Sequence, residues 1–295
     1  MGDTLVPETI ATGCAELDRA WSKYASAILD RPGVMIPDTE EDLNCHAFLG
    51  HSIDMQGFRA AEFVGVDDLT RSAPGFVPLR QRGVGVAELG GLWDIPALRD
   101  HLLTGTAGTP VASTLEVLAR EGGQVGAELA EAYQRFPYRK THGGIRAYLQ
   151  NSSALEPCGY SFRAWLEAEC DELGVPEFPP PDFRAPVAGS SQTIEWSLVR
   201  RLEQTFYMVG PTMAPYMICD WQLWLWHQGR TGVFEAFKPD EFHVQFIDRY
   251  GSEHIPVDLG GFVEWWLRLY PEVPPRLINE CIWLAVERGD VADVT

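Results

Sequence analysis

Residues 194–227, IEWSLVRRLEQTFYMVGPTMAPYMICDWQLWLWH, decide the fold class. Apolar side chains recur at intervals of three and four residues on both sides of Gly210-Pro211, which is typical of two helices joined by a tight turn. The pattern predicts one helix over Ile194–Val209 and a second over Thr212–His227. Helical periodicity therefore dominates this part of the chain.

The same spacing predicts helices along most of the remaining sequence, so the fold class is expected to be mainly α. Residues 31–93 are the exception, because they are rich in Gly, Pro and Asp and show no clear period. Gly122-Gly123 weaken the middle of another helical run, which predicts one helix or two there. The further predicted helices are Ala15–Leu29, Pro96–Leu103, Thr114–Phe136 (one or two), Gly143–Leu149, Ser161–Leu173, Pro239–Tyr250, Leu259–Tyr270 and Pro274–Glu287.

A proline-rich stretch suggests the domain organisation. Residues 174–193, GVPEFPPPDFRAPVAGSSQT, contain five prolines and a Gly-Ser-Ser run. Proline lacks a backbone donor and fixes φ, so this spacing excludes a helix and favours polyproline II or open loop. We therefore predict a mostly helical N-terminal part over 1–173, a linker over 174–193 and a helical C-terminal part over 194–295. Thr193, at the end of the linker, is a predicted N-cap.

The chain is strongly acidic. Its 295 residues include 23 Lys and Arg against 42 Asp and Glu, which gives a formal net charge of −19. Nucleic-acid affinity comes largely from neutralised phosphates, so this charge argues against a general DNA or RNA binder. The sequence contains no GxGxxG, Walker, GxSxG or HExxH pattern, which disfavours a nucleotide-cofactor oxidoreductase or a kinase.

Cysteine usage and the apolar segments indicate the cellular compartment. The six cysteines include no CxxC pair, which predicts buried thiols in a reducing compartment. The N-terminus, MGDTLVPETIATG, carries acidic groups and no apolar leader-like segment. Residues 207–226 have about the length of a membrane span, but they contain prolines and Asp220 and lack flanking cations, which favours a buried helix. A cytoplasmic protein with no membrane partner is expected.

Two motifs carry a resemblance to a known family. FYMVGPTMA at 206–214 predicts a helix end, a glycine turn and a new helix. FKPDEFHVQFIDRYG at 237–251 places an Asp before a helix, with His-Val and Arg-x-Gly downstream. Together these motifs resemble the helix-hairpin-helix DNA glycosylase superfamily. The resemblance implies a glycosylase-like, two-lobed helical fold with a less regular N-terminal part. It also implies a hairpin whose amides bind phosphate, and a cleft Asp that stabilises positive charge on the sugar as the N-glycosidic bond breaks.

The resemblance assigns roles to individual residues of both motifs. Val209 and Gly210 match the hairpin, and Asp240 matches the catalytic Asp. Met208 stands in place of the first hairpin glycine. Thr212 stands where lyase-type members place a nucleophilic Lys, so a Schiff-base route is excluded at that position and Thr212 is left as a substrate contact.

The carboxylates at the start of the second motif allow two readings. Asp240 follows Pro239 and is also a good N-cap for the helix after it. Capping and catalysis are compatible, because amide donors at a helix start favour the ionised carboxylate. Glu241 replaces Asp240 as the candidate if the register shifts by one residue, and it is otherwise a candidate substrate contact.

Asp220 and His243 are predicted to assist. Asp220 lies in the most apolar helix, where an ionised group is costly unless it is paired or faces a cavity. An ion pair with an arginine is one interpretation, and a role in a cleft as base or hydrogen-bond acceptor is the other. His243, three residues after Asp240, projects near it on a helix. The candidate arginines are Arg200, Arg201 and Arg230.

Aromatic and metal-ligating side chains leave further alternatives open. Trp221 and Trp224 either belong to the core or stack a base or sugar in the cleft. His227 and His243, with the nearby carboxylates, suggest a metal-assisted hydrolase as an alternative, although their spacing matches no strong metal motif. Residues 138–144, YRKTHGG, form the one local basic patch, which is either an ordinary loop or a phosphate contact before a helix.

The functional prediction combines the resemblance with the charge. Because an acidic surface opposes duplex DNA, the expected activity is hydrolysis of the N-glycosidic bond in a small nucleoside, nucleotide or modified base. Neither a cofactor nor a metal is expected for this reaction. The alternatives are a non-catalytic ligand-binding or regulatory helical protein, and the metal-assisted hydrolase that uses His227, His243 and an Asp.

Overall fold

A computed structural model describes residues 6–29, 85–106, 108–135, 141–211, 213–227, 241–251, 255–256, 259–287 and 289–290. These ranges are mainly α-helical, which confirms the predicted fold class. In the same ranges the only β pairing is an isolated antiparallel bridge between Pro186 and Thr193. The helices are α1 (Ala15–Leu29), α2 (Val86–Trp93), α3 (Pro96–Thr104), α4 (Val111–Glu121), α5 (Gly123–Arg135), α6 (Thr141–Ala154), a 3-10 turn (Glu156–Cys158), α7 (Phe162–Glu172), α8 (Ile194–Thr205), α9 (Met213–His227), α10 (Glu241–Tyr250), α11 (Leu259–Leu269) and α12 (Pro275–Glu287).

The sequence predicted one or two helices over Thr114–Phe136, and the structure contains two, α4 and α5. Gly123 adopts a left-handed φ of 58°, which glycine reaches without steric cost. A Cβ on Gly122 would lie 2.7 Å from both the Cα of Gly126 and the carbonyl oxygen of Leu118. The glycines thus serve the sharp turn and the close approach of the two helices.

Helix α2 was not predicted from the sequence. Its sequence, VAELGGLW, contains two glycines, which weaken the intrinsic helical preference. A Cβ on Gly90 would lie 2.7 Å from a ring carbon of Tyr160 and 3.3 Å from the backbone of Ser152, so the glycine permits α2 to pack closely on α6. The Gly85 amide donates to the Glu88 carboxylate at 2.9 Å and closes the first turn.

The chain forms two compact units whose bounds differ from the predicted parts. Unit 1 comprises residues 1–43, 170–198 and 215–295, and unit 2 comprises residues 44–169 and 199–214. The proline-rich residues 174–193 fall inside unit 1.

The described segment 174–193 contains no helix, as predicted, but it is packed. Phe183 is 2% exposed, and its carbonyl accepts a hydrogen bond from the Glu195 amide at 3.0 Å. Ala185 accepts from the Ile194 amide at 2.9 Å. The hydroxyl of Thr193 accepts from the Trp196 amide at 3.2 Å, which confirms the predicted N-cap. The segment is therefore an ordered part of unit 1.

Helix α12 lies at the centre of unit 1. Residues 273–286 are buried without interruption. Helices α1 and α10 pack against α12, and α1 also contributes Trp21, whose ring lies 5.5 Å from that of Trp266 on α11. A helix that is enclosed on every side must satisfy its polar side chains internally.

The described cysteines and apolar helices agree with the sequence. Four thiols are buried, Cys158 is half-buried, and none of these five described cysteines is in a disulfide; Cys45 lies outside the described residues. Burial raises the pKa of Cys281 well above its ordinary value, which keeps this thiol neutral. Helix α9 is buried along its described side chains, as expected. Among the helices described, none has the length and apolar character needed to cross a membrane.

Gly126 provides a test of the packing between α4 and α5. We expect Gly126→Ala to lower the free energy of unfolding by about 1–3 kcal/mol, because its Cβ would overlap the carbonyl oxygen of Leu118. Gly91→Ala is the matched control, since no atom lies within 4 Å of a Cβ there; this change should stabilise α2 by about 0.5–1 kcal/mol. Urea unfolding measures both variants. Equal effects of the two substitutions would contradict this account of the packing.

Candidate functional site

The structure describes part of the predicted site. Asp240 and Thr212 lie outside the described residues. The backbones of Asp220, Trp224, His227 and Glu241 belong to described helices. The side chains of these four residues are not among the parts that the structure describes. The remaining predicted residues are described fully; Val209 and Gly210 belong to unit 2, whereas Trp221 and His243 belong to unit 1.

The predicted hairpin of unit 2 forms a tight turn between α8 and α9. Met208 has a φ of 62°, a left-handed conformation that is uncommon for residues other than glycine. This is the position where the resemblance places the first hairpin glycine, so the turn keeps a glycine-like backbone at a methionine. Gly210 is not in the left-handed region and has open space around its Cα.

Most described amides of this turn already have acceptors. The amide of Val209 donates to Phe206 at 3.4 Å, and those of Met213 and Ala214 both donate to the Gly210 carbonyl at 3.0 Å. Pro211 has no amide hydrogen. The hairpin therefore offers fewer free donors for a phosphate than the resemblance implies.

A buried asparagine on α6 holds the turn in place. Asn151, 1% exposed, donates from Nδ2 to the Tyr207 carbonyl at 3.0 Å and accepts from the Tyr207 amide at Oδ1 at 2.8 Å. The adjacent Phe206 ring packs edge-on against Trp165 at 5.0 Å. A Cβ on Gly143 would meet the Met208 sulfur at 3.2 Å, so the turn lies directly on α6. The role of Asn151 was not predictable from the sequence, because its partner Tyr207 lies 56 residues away.

In unit 1, α10 begins at Glu241, immediately after the candidate carboxylate Asp240. His243 is 2% exposed, and its ring lies edge-on to Phe262 at 4.5 Å. Burial lowers the pKa of His243 to about 3, and the neighbouring Asn279 side chain opposes this shift only in part. The ring is therefore neutral at pH 7, which favours a positioning role over the proton transfer that a catalytic assistant would perform.

Asn279 belongs to a polar face of α12 that the sequence analysis missed. Arg276 and Glu280, each 5% exposed at the side chain, form an ion pair one turn apart on this helix. Asn279 and Glu280 follow Arg276 by three and four residues, so the three polar side chains lie on one side of α12. The spacing of the polar residues in PRLINECIWLAVE is the sequence signal for this polar face. Nothing in that sequence identifies His243 as a neighbour of Asn279.

Trp221 belongs to the core of unit 1. It is 1% exposed, with the ring of Phe178 stacked on it at 4.9 Å and that of Phe183 edge-on at 5.9 Å. These rings occupy the surfaces on which a base or sugar would stack, which favours the core alternative over substrate stacking. The next residue, Gln222, donates from Nε2 to the buried carboxylate of Glu195 at 3.1 Å.

Two of the arginines considered for Asp220 have partners in unit 2. Arg201 donates to the Glu169 carboxylate at 2.6 Å, and a nitrogen of Arg200 lies 4.0 Å from Glu203. Arg230 lies outside the described residues. The two interpretations of Asp220 stay predictions.

The described end of the basic patch, residues 141–144, is helical and begins α6 two residues earlier than predicted. His142 is buried, with Nδ1 2.8 Å from the Thr114 hydroxyl and Nε2 3.2 Å from the Leu102 carbonyl. Because the carbonyl only accepts, Nε2 carries the proton and the hydroxyl donates to Nδ1. Burial lowers the pKa of His142, which maintains this neutral arrangement. A Cβ on Gly105 would overlap the ring, so His142 is part of the packing of unit 2.

Metal ligation receives no support from the described part of the chain, where no three His, Cys, Asp or Glu side chains are arranged to hold a metal ion. The proposed cluster also requires His227, whose side chain is outside that part.

Comparisons with known proteins do not extend this site, since no family model, no curated protein and no solved structure matches the chain.

The buried histidine predicts a pH dependence of stability. The pKa of His243 is about 3 in the folded protein and about 6.5 in an unfolded chain, so between these values the unfolded state binds the extra proton. This contribution to stability is complete above pH 6.5 and is lost as the pH falls, by up to about 1.4 kcal/mol per pH unit. Urea unfolding at pH 7.5, 5.5 and 4.5 should show a shallower loss for His243→Asn than for the wild type. Parallel losses in the two proteins would contradict this assignment.

The hydrogen bonds between Asn151 and the turn predict that loss of the Asn151 side chain lowers the stability of the fold. Asn151→Ala leaves the part-buried amide and carbonyl of Tyr207 without these partners and should lower the free energy of unfolding by about 1–3 kcal/mol. Gln124→Ala removes an exposed amide that donates to Glu128, and it should change stability by less than about 0.5 kcal/mol. Denaturant unfolding compares the two variants, and similar values would show that Asn151 does not hold the turn.

Proposed function

We propose that the protein hydrolyses the N-glycosidic bond of a small nucleoside, nucleotide or modified base. Asp240 is the carboxylate that stabilises positive charge on the sugar. In this reaction the bond between the sugar C1′ and the base nitrogen breaks, water adds to C1′, and the proton from water leaves with the base. A negative charge close to C1′ lowers the barrier, because the transition state resembles an oxocarbenium ion.

The start of α10 is the observation that carries the proposal. The helix begins at Glu241, so Asp240 immediately precedes its first turn, where the helix dipole favours an ionised carboxylate. His243 helps to hold this turn, since its buried ring packs edge-on against Phe262 at 4.5 Å. An anchored helix start supplies the pre-organisation that electrostatic catalysis requires.

The substrate class follows from charge. A formal net charge of −19 opposes a polyanionic duplex far more strongly than a single nucleoside or nucleotide. The tight turn at Met208 is in keeping with the resemblance to the glycosylase superfamily, because Met208 has a left-handed backbone, which glycine adopts without steric cost, at the position of the hairpin's first glycine.

Substitution of the two candidate carboxylates tests the proposal. With a panel of nucleosides and nucleoside 5′-monophosphates, chromatography should detect free base released by the wild-type protein. Asp240→Asn should lower kcat by about 100-fold or more, because it removes the charge next to the sugar and keeps the shape. Glu241→Gln should retain activity if Asp240 is in register, and the pattern should reverse if the register shifts by one residue.

Asp248→Asn is the matched control, since Asp248 is an exposed carboxylate on the same helix. It should retain wild-type activity. Full activity in both Asp240→Asn and Glu241→Gln, or no release of base from any compound by the wild type, would refute the proposed function.

A further inference from the structure

Three polar side chains connect three helices of unit 2 through consecutive hydrogen bonds. Nε2 of His101 on α3 lies 3.2 Å from the hydroxyl oxygen of Thr114 on α4, and that oxygen lies 2.8 Å from Nδ1 of His142 on α6. Nε2 of His142 in turn lies 3.2 Å from the Leu102 carbonyl oxygen. Thr114 and His142 are buried, whereas His101 is half-buried. The side chains of His101, Thr114 and His142 form the His–Thr–His cluster.

The carbonyl at one end of the cluster fixes the direction of each hydrogen bond in it. The Leu102 carbonyl only accepts, so Nε2 of a neutral His142 carries the proton and Nδ1 accepts from the Thr114 hydroxyl. The single hydrogen of the hydroxyl is then in use, so Nε2 of His101 donates to the hydroxyl oxygen. Only this arrangement of protons satisfies all three contacts.

The two histidines respond differently to an added proton. A proton on Nδ1 of His101 leaves the hydrogen bond from its Nε2 to Thr114 intact. A proton on Nδ1 of His142 places two hydrogens between this nitrogen and the Thr114 oxygen. The buried hydroxyl must then turn away, and no other acceptor for it is present among the described residues. Because a buried donor without an acceptor is costly, the cluster requires a neutral His142.

The surroundings of the His142 ring also oppose its protonation. The titratable group that faces the ring from α3 is His101, α4 contributes the uncharged Thr114, and Arg146 acts on it from α6 itself. Helix α2 and the 3-10 turn pack on α6 but add no charged group to the described surroundings of the ring. Burial is the largest cause of the lowered pKa of His142. The cluster is therefore favoured above about pH 6.5 and loses stability as the pH falls below that value.

The end of α3 rests on His142. Besides the Leu102 carbonyl, Gly105 packs so closely on the ring that a Cβ at this position would overlap it. The Gly105 amide donates to the His101 carbonyl at 3.0 Å, so the last turn of α3 and the residue that follows it are linked. Residues 101–106 are thus the segment whose position depends on the cluster.

We propose that the His–Thr–His cluster is an acid-sensitive latch, which holds residues 101–106 on α4 and α6 and releases them when His142 binds a proton. The latch lies within unit 2 and is independent of the proposed glycosidic activity. A released histidine is solvated, so burial no longer opposes its charge. Leu98, which is fully buried, keeps the first part of α3 in the core.

Hydrogen exchange measured by mass spectrometry tests the latch in the full chain. Protection factors, corrected for the intrinsic pH dependence of exchange, are compared at pH 7.5 and pH 5.5. The protection of residues 101–106 should fall severalfold, with a limit of about tenfold set by a released-state pKa near 6.5. Residues 123–135 of α5, in the same unit, are the internal reference and should keep their protection.

Two substitutions identify the residue that responds to pH. His142→Gln supplies an N–H near the position of Nε2 and does not titrate, so the pH dependence of residues 101–106 should disappear. His101→Gln is the matched control, because it keeps a donor for Thr114 and removes the other titratable ring. It should retain the pH dependence of the wild type. Circular dichroism at pH 7.5 checks that the helices of each variant remain.

A selective loss of protection in the wild type that His142→Gln abolishes would support the latch. The proposal is overturned by equal protection at the two pH values, by equal losses in residues 101–106 and 123–135, or by pH dependence that survives in His142→Gln or vanishes in His101→Gln. If His142→Gln does not fold, the tautomer of His142 in the wild type decides together with the exchange data. Long-range ¹H–¹⁵N NMR at pH 7.5 should show a protonated Nε2 and an unprotonated Nδ1, and the opposite tautomer would overturn the proposal.

Discussion

Complete burial of one helix is the constraint on which unit 1 depends. Residues 273–286 are buried without interruption, yet they include an arginine, an asparagine and a glutamate. Such groups are costly inside a protein unless they have partners. Arg276 and Glu280 neutralise each other along the helix. The side-chain nitrogen and oxygen of Asn279 have no hydrogen-bond partner among the described residues, so burial of this amide is a cost that the surrounding packing must offset. Helix α10 packs on α12, which therefore helps to position the first described turn of α10.

The sequence predicted the elements whose signal is local. Helix α1 has the bounds that its apolar spacing indicated, and the cap at Thr193 follows from the chemistry of a single side chain. Helix α2 was missed because its glycines oppose helix formation locally. They are explained by α6, about 60 residues further along the chain, against which Gly90 must pack without a Cβ. Such long-range packing requirements are invisible to periodicity.

In the candidate site, too, the locally encoded elements were predicted and the long-range contacts were not. The motif at 206–214 correctly indicated a helix end, a turn and a new helix. The second motif correctly indicated a helix that contains His243. The interactions that support these elements come from distant residues: Asn151 hydrogen-bonds to the turn, and the ring of Phe262 packs on His243. Tertiary context also decided the role of Trp221, because two phenylalanines from the proline-rich segment cover its ring. A helical pattern alone does not distinguish a tryptophan in the core from one that lines a cleft.

Unit 1 has a consequence for synthesis on the ribosome, because it joins the first of the described helices to the last of them. Helix α1 packs on α12, and the amide of Ala11 donates to the Tyr270 hydroxyl across 259 positions of sequence. A nascent chain emerges from its N-terminus, so α1 leaves the exit tunnel long before its partner exists. Until α12 has been synthesised, the apolar face around Trp21 lacks the helix on which α1 packs in the folded protein.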